Sequence, residues 1–308
     1  MHSKRILRTH LSNREVEHDL RRLISNLADS GKYINAAIRK STRGIEGTVN
    51  AYGEEQAELD VLSDRLVSER LSLETSFAVC ELASEEQGEI VTMDPHSGRY
   101  SVIMDPLDGS SLIDVNLAIG SIVGITEGQL LDGKTGRESL VAAMYIMYGP
   151  QTTLVYTAGD GVHEFVLDPV GNWVLEKENI QMQKQGNIYS PGGLRREWLP
   201  AHKHFIEQLE QEGYKLRYSG ALVAEMNQLL IKGGGIFTYP ALVGVPNSKL
   251  RLLMELQPMA MIMEQAGGRA TNGIVDILNL KPETLDQRSP IYIGSKREVD
   301  LAREYLLE

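Results

Sequence analysis

Val16, Leu20, Leu23, Ile24, Leu27, Ile34 and Ile38 recur at helical spacing, which predicts one or two amphipathic helices over residues 14–40. A polar, glycine-bearing stretch follows from Ser41 to Gly53, and a second helical pattern runs from Glu55 to Phe77. The apolar runs then shorten to strand length at Phe77–Ala83, 100–105 and 119–126. Arg137 to Tyr148, closed by Gly149-Pro150, reads as a helix. Residues 152–158, 162–167 and 173–176 read as a meander of strands, turning at Gly159-Asp-Gly161 and Asp168-Pro-Val-Gly171.

Gln181 to Gly193 is polar, contains Ser-Pro-Gly-Gly and reads as a linker. Helices and strands alternate beyond it: helix 201–212, strand 215–219, helix 221–231, strand 235–239, helix 252–266, strand 290–294, helix 296–306. That order predicts an α/β region whose sheet is covered on both faces. The whole is expected to form two sheets sandwiched among helices, divided into residues 1–184 and 185–308.

Composition narrows the picture. With 308 residues and 42% hydrophobic content the chain has ample material for a full core. A net charge of −11 argues against nucleic acid or an anionic membrane as the main partner. The single cysteine, Cys80, permits no intramolecular disulfide, fits a reducing compartment and reads as a core residue. No run is apolar enough for a signal peptide, or approaches the roughly 20 residues of a membrane span. A soluble, cytoplasmic protein is expected.

The richest chemistry lies in Asp105-Pro-Leu-Asp108-Gly-Ser-Ser111, where a buried strand is expected to meet a helix. Two carboxylates there offer hard oxygen ligands of the kind Mg²⁺ takes together with substrate phosphate oxygens. The Gly109-Ser110 that follows can open a helix, whose free N–H groups hold a phosphate. Glu85 and Glu255 would bring the carboxylates at the ends of buried elements to four. Such a cluster repels itself unless cations neutralise it, which points to two or three Mg²⁺ ions.

Asp60 and Glu86 are candidates for a general base acting through water. Taken alone, Asp60 and Asp64 form a solvated helix face, Glu85-Glu86 a surface turn, and Glu255 a partner for Arg251 or Lys249. Arg217-Tyr218, Tyr239, Lys249 and Arg251 suit a second phosphate away from the metals. The tyrosines equally suit half-buried packing. Gly233-Gly-Gly235 reads as a helix C-terminal turn, and the seven histidines show no ligand spacing, His202 and His204 reading as surface helix residues.

Asp105-Pro-Leu-Asp-Gly-Ser-Ser-Leu-Ile-Asp114 resembles the signature of class I fructose-1,6-bisphosphatases and of sedoheptulose-1,7-bisphosphatases. The resemblance extends over roughly residues 30 to 306. It includes Leu59-Asp-Val-Leu-Ser-Asp64, Ser84-Glu-Glu86, Gly235-Ile-Phe-Thr-Tyr-Pro240, Lys249-Leu-Arg-Leu-Leu253, Ala266-Gly-Gly268 and Gln287-Arg-Ser-Pro290, in the family's order. It implies a layered αβαβα sugar-phosphatase fold, commonly a homotetramer, in which 1–184 is the metal-binding phosphatase domain and 185–308 the substrate-binding one. It implies metal ligands at Glu85, Asp105, Asp108 and Glu255, the Leu107 carbonyl as a further ligand, and a possible metal contact at Glu86. Asp60 and Glu86 would activate water. Gly109 and Ser110 would hold the cleaved phosphate, and Tyr218, Tyr239 and Lys249 the distal one. Arg217 would reach in from a neighbouring subunit, and Arg251 would lie near the sugar and the cleaved phosphate.

The chain departs from the fructose-enzyme pattern at three places. Leu112 replaces an asparagine. The loop Tyr189-Ser-Pro-Gly-Gly-Leu-Arg195 lacks an asparagine at Gly192 and resembles the sedoheptulose enzymes, as do Ser139–Tyr148 and His163-Glu-Phe165, whereas Tyr239-Pro240 resembles the fructose enzymes. The segment before Leu20 does not reproduce the family's AMP-binding loop. The expected activity is Mg²⁺-dependent hydrolysis of fructose 1,6-bisphosphate by in-line attack of water. The alternatives are a sedoheptulose-1,7-bisphosphatase or dual enzyme, and a non-catalytic phosphosugar-binding protein.

Overall fold

All nine residues of the strand Tyr100–Asp108 are buried, a pattern that requires a sheet covered on both faces. The computed structural model describes residues 5–40, 58–73, 79–94 and 98–307, with the backbone of 48–49 and 55–56. Its first part runs α1 (Leu7–Asn13), α2 (His18–Lys40), β1 (Thr48–Val49), β2 (Glu55–Gln56), α3 (Glu58–Leu73), β3 (Val79–Ser84), β4 (Val91–Thr92), β5 (Tyr100–Asp108), β6 (Ile119–Glu127), α4 (Gly136–Ser139), β7 (Leu140–Tyr148), β8 (Thr152–Thr157), β9 (His163–Leu167) and β10 (Trp173–Lys177). Then follow β11 (Ile188–Pro191), α5 (Pro200–Gln211), β12 (Lys215–Leu216), α6 (Leu222–Lys232), β13 (Ile236–Tyr239), α7 (Gln257–Gln265), β14 (Arg269–Thr271), β15 (Ile291–Gly294) and α8 (Lys296–Leu307).

An eight-stranded sheet runs β10-β9-β8-β7-β6-β5-β3-β4, and a five-stranded sheet runs β12-β11-β13-β15-β14. Among the described residues, three of the four buried hydrophobic clusters lie between the sheets and helices of the stack. Leu23 and Leu27 of α2 and Val67 of α3 pack on Met104, Met144 and Ile146 on one face of the large sheet. Ala143 and Tyr145 on its other face pack with Met226 of α6, Ile262 of α7, and Phe237 and Ile293 of the small sheet. Phe205 of α5 and Val299 of α8 cover the small sheet's outer face. The mixed α/β layering is the αβαβα order expected. No helix of the described residues is long and apolar enough to cross a membrane.

Several elements differ from those the sequence pattern predicts. Arg137–Tyr148 is not a helix: a single capped turn, α4, gives way to β7. Residues 140–148 are apolar throughout because alternate side chains enter different cores, which removes the polar positions that would reveal a period of two. Gln181–Gly193 is not a free linker, since it contains β11, which pairs in parallel with both β12 and β13. The expected strand 215–219 shortens to β12. The helix expected over 252–266 begins as a π-helical turn, Leu252–Leu256, before α7. The helix read over Glu55–Phe77 starts at Glu58, and Phe77 lies outside the described residues. His202 is buried against Trp198 and Tyr292, whereas His204 is exposed and Cys80 is buried as expected.

Candidate active site

β3 and β5 are parallel neighbours, with Ser84 beside Met104. The Glu85 N–H donates to the Met104 carbonyl at 3.0 Å, which sets Glu85 at the same sheet end as Asp105. Residues three apart on a regular strand face opposite sides. Here the β5–β6 register shifts between Asp105 and Asp108, so three residues of β5 span two of β6. The bulge turns both carboxylates into one cleft. Gly109 then adopts φ +80°, and a Cβ there would come within 2.6 Å of the Ala221 Cβ, so both the backbone and the space call for glycine. The expected helix after it is only a three-residue 3₁₀ turn, Ser110–Leu112.

Other elements complete the wall. The Asp108 carboxylate accepts from the N–H groups of Leu222 at 3.1 Å and Val223 at 2.6 Å, in the first turn of α6. Glu255 projects from the π-helical turn and accepts the Arg251 N–H at 2.6 Å. The buried Arg251 guanidinium donates to Glu85. Asp60 is buried in the first turn of α3 and Glu86 is half-buried beside Glu85.

Asp60, Glu85, Glu86, Asp105, Leu107, Asp108, Gly109, Ser110, Tyr218, Tyr239, Lys249, Arg251 and Glu255 all line one cleft of about 330 Å³. Arg217 does not. It is exposed and donates to its neighbour's carbonyl, Leu216 O, at 2.9 Å. Asp64 also lies outside, accepting from Gln87 Nε2 at 2.9 Å. Ser111, Gly220, Ala221 and Phe237 line the cleft without having been singled out. Ser111 and Phe237 stand within the family motifs and Gly220 closes the strand and turn over 215–220, whereas nothing in sequence marks Ala221.

Burial raises the Asp105 carboxyl well above the usual range, with Glu85, Asp108 and Glu255 adding to it. Asp108 is pushed up to about 7 by burial, against the pull of the Val223 and Leu222 N–H groups. Glu255 is pushed up to about 8 by burial and then by Glu85. Hard oxygen donors that resist sharing a dry cleft as anions fit a divalent cation, which relieves both desolvation and repulsion.

The fold also gathers a group that spacing could not reveal. Ligand-capable atoms of His10, His163 and Glu178 lie within 4.8 Å of one another. Each ring nitrogen has a protein partner. His10 Nδ1 meets the Tyr156 hydroxyl at 2.7 Å and Nε2 meets Glu178 at 3.2 Å. His163 Nε2 meets the Asp160 carbonyl at 3.1 Å, and its Nδ1 accepts the Asn179 N–H at 3.3 Å. The cluster fastens α1 to the large sheet.

Two family models match almost end to end: the fructose-1-6-bisphosphatase N-terminal domain over residues 2–178 and the C-terminal domain over 182–307. The chain belongs to the fructose-1,6-bisphosphatase family. A class 1 fructose-1,6-bisphosphatase of Geotalea uraniireducens is 55% identical over 303 residues, 97% of this chain and 95% of the relative. The Leishmania major fructose-1,6-bisphosphatase in holo form superposes with a TM-score of 0.92 at 34% identity, covering 99% of this chain and all of that one. A Toxoplasma gondii protein described as a candidate sedoheptulose-1,7 bisphosphatase gives a TM-score of 0.90 at 31% identity over 98% of each chain. Membership of this phosphatase family implies a divalent metal cofactor in general, and the acids at the cleft floor are the donors that suit one.

Proposed function

We propose that this chain hydrolyses the 1-phosphate of fructose 1,6-bisphosphate with Mg²⁺, yielding fructose 6-phosphate and inorganic phosphate. The observation that carries the reading is one cleft in which buried acids face Lys249, Arg251 and two tyrosines. Glu85, Asp105, Asp108, Glu255 and the Leu107 carbonyl would hold the metal. Bound there, Mg²⁺ supplies positive charge for the phosphoryl oxygens and lowers the pKa of water.

The chain's own groups do the rest. Asp60 and Glu86 orient the attacking water and take its proton, while Gly109 and Ser110 hold the phosphate being cleaved. Tyr218, Tyr239 and Lys249 grip the distal phosphate, and Arg251 faces the sugar and the cleaved phosphate. Arg217, exposed outside its own cleft, serves the distal phosphate of a neighbouring subunit in a homotetramer. The displacement is direct and in line, without a phosphoenzyme. Residues 1–184 form the metal-binding phosphatase domain and 185–308 the substrate domain of a cytoplasmic enzyme.

A second reading, hydrolysis of sedoheptulose 1,7-bisphosphate, is favoured by the cleft's distal wall. Gly192 packs against the Tyr239 ring so closely that a Cβ there would lie 2.4 Å from a ring carbon, leaving no room for a larger residue. Phosphate release with Mg²⁺, measured on both sugars in parallel, separates the readings. A large preference for the fructose substrate supports the first; equal or greater rates on the sedoheptulose substrate replace it with the second. No release from either overturns both.

A further inference from the structure

Glu225 lies in the first turn of α6 and is only 1% exposed. Its carboxylate accepts from neutral donors: the Ser219 N–H, the Ser219 hydroxyl at 2.8 Å and the Ser190 hydroxyl at 2.6 Å. Ser219 follows Tyr218 in a stretch, 217–221, that is neither helix nor strand. On the other side of Tyr218, the Arg217 N–H donates to the Tyr189 carbonyl at 3.0 Å. Tyr218 is thus held through its two chain neighbours, one bonded to β11 and the other to Glu225. Ser190 lies in β11, two residues before Gly192, which packs against the Tyr239 ring.

A segment without a backbone ladder takes its shape from side-chain bonds of this kind. A carboxylate accepts more strongly than a neutral group, so this one side chain locks the Tyr218 turn to the start of the Ser-Pro-Gly-Gly loop. The N–H groups that hold Asp108 belong to the same turn of α6, so the acid cluster and the distal wall are fastened to one helix end. Burial, then Tyr239, Glu225 and Asp108, push the Tyr218 hydroxyl up to about 12, which keeps it a neutral donor. Glu225 itself does not line the cleft. On the sugar-bisphosphate reading of the cleft, we propose that Glu225 is a positioning residue: it sets Tyr218 against Tyr239 and so shapes the grip on the distal phosphate.

Fructose 6-phosphate carries only the distal phosphate, and fructose 1-phosphate only the one to be cleaved. Calorimetric titration with the first, and phosphate release from the second with Mg²⁺, are compared in the full chain of the wild type, Glu225→Met and Glu225→Gln. Methionine is of similar length and offers only a weak acceptor, whereas glutamine keeps a carbonyl oxygen for Ser219 and can donate to the Ser190 hydroxyl. Fructose 6-phosphate should bind about tenfold more weakly to Glu225→Met, and within about threefold of wild type to Glu225→Gln. Turnover of fructose 1-phosphate should stay within about twofold of wild type in both. Ser219→Ala removes one donor outside the helix and should weaken fructose 6-phosphate in the same direction, which decides the matter if Glu225→Met folds poorly.

Unchanged affinity in Glu225→Met and Ser219→Ala overturns the proposal. So does a parallel loss of affinity and of fructose 1-phosphate turnover, because Glu225 then supports α6 and Asp108 rather than the distal wall. Equal losses in Glu225→Met and Glu225→Gln also overturn it, since the charge and not the hydrogen bonds would then matter. A wild type that does not bind fructose 6-phosphate overturns it as well. A wild type that binds fructose 6-phosphate but hydrolyses no sugar phosphate refutes the hydrolytic reading instead, and the affinities alone then decide the role of Glu225.

Discussion

Asp108 accepts the Val223 backbone N–H at 2.6 Å, so a strand end in the large sheet is tied to the first turn of α6. The N-cap position of α6 is Ala221, which has no side-chain oxygen to offer. Asp108 supplies that cap from 115 residues away in sequence. Asp108→Ala should lower phosphate release by more than about 100-fold, beyond the 10- to 100-fold usual for an outer-shell partner of a metal. It should also loosen the α6 N-terminus at a cost of about 1 kcal/mol, a cap's usual worth. Kinetics and thermal melting of the same sample check both, and near-wild-type turnover would remove Asp108 from the metal site.

Cation removal should destabilise the protein, because burial drives Asp105, Asp108 and Glu255 toward protonation when nothing neutralises them. Melting in excess chelator is expected several degrees below melting in millimolar Mg²⁺, by the mass-action effect of a ligand that binds only the folded state. Identical curves would mean that the acids hold no cation at those concentrations.

Arg251 donates to Glu85 while both face the acid cluster. Removing one partner of a buried pair leaves a charge without compensation and typically costs about 3–5 kcal/mol. Arg251→Met should therefore melt well below wild type in chelator and recover part of the loss with Mg²⁺. Chemical denaturation under both conditions is the check; a loss of equal size in each would show that Glu85 gains nothing from the cation.

Gly192→Ala should force the Tyr239 ring to move, since the new Cβ would lie 2.4 Å from a ring carbon. The ring lines the distal cleft, so KM should rise several-fold with kcat little changed. Steady-state kinetics on the six- and seven-carbon bisphosphates would reveal which is affected more. An unchanged KM for both would separate Tyr239 from substrate binding.

Acid should weaken the fold through two buried histidines. Burial lowers His10 to about 4 and His202 to about 3, so each stays neutral in the folded state while its unfolded counterpart titrates near 6.5. Below about pH 6.5 the unfolded chain binds the extra protons, and stability falls with pH down to those folded values. The loss across that window should be on the order of a few kcal/mol. His202→Asn should flatten the profile in denaturation experiments between pH 7.5 and 5; an unchanged slope would assign the acid sensitivity elsewhere.

The site was more legible in the sequence than the fold around it. Asp105 to Ser110 are contiguous, so their chemistry could be read directly, and only Arg217 among the expected residues stands away from the cleft. The bulge that lets Asp105 and Asp108 share a face was not legible, because it depends on pairing with β6. β7 was hidden by its unbroken apolar run, and β11 by the Ser-Pro-Gly-Gly that follows its first residues. His10 and His163 are far apart in sequence, and only the packing of α1 on the large sheet brings their rings to 4.5 Å. Short α1 left no periodic pattern of its own to read.

α3 carries Asp60 in its first turn and Arg70 in its last. Ten residues of helix separate them by about 15 Å along a stiff axis. The helix is in effect a stiff rod with one end in the cleft. A substitution that tilts its C-terminal end would reach Asp60 as a displacement, with no residue of the catalytic cleft being touched.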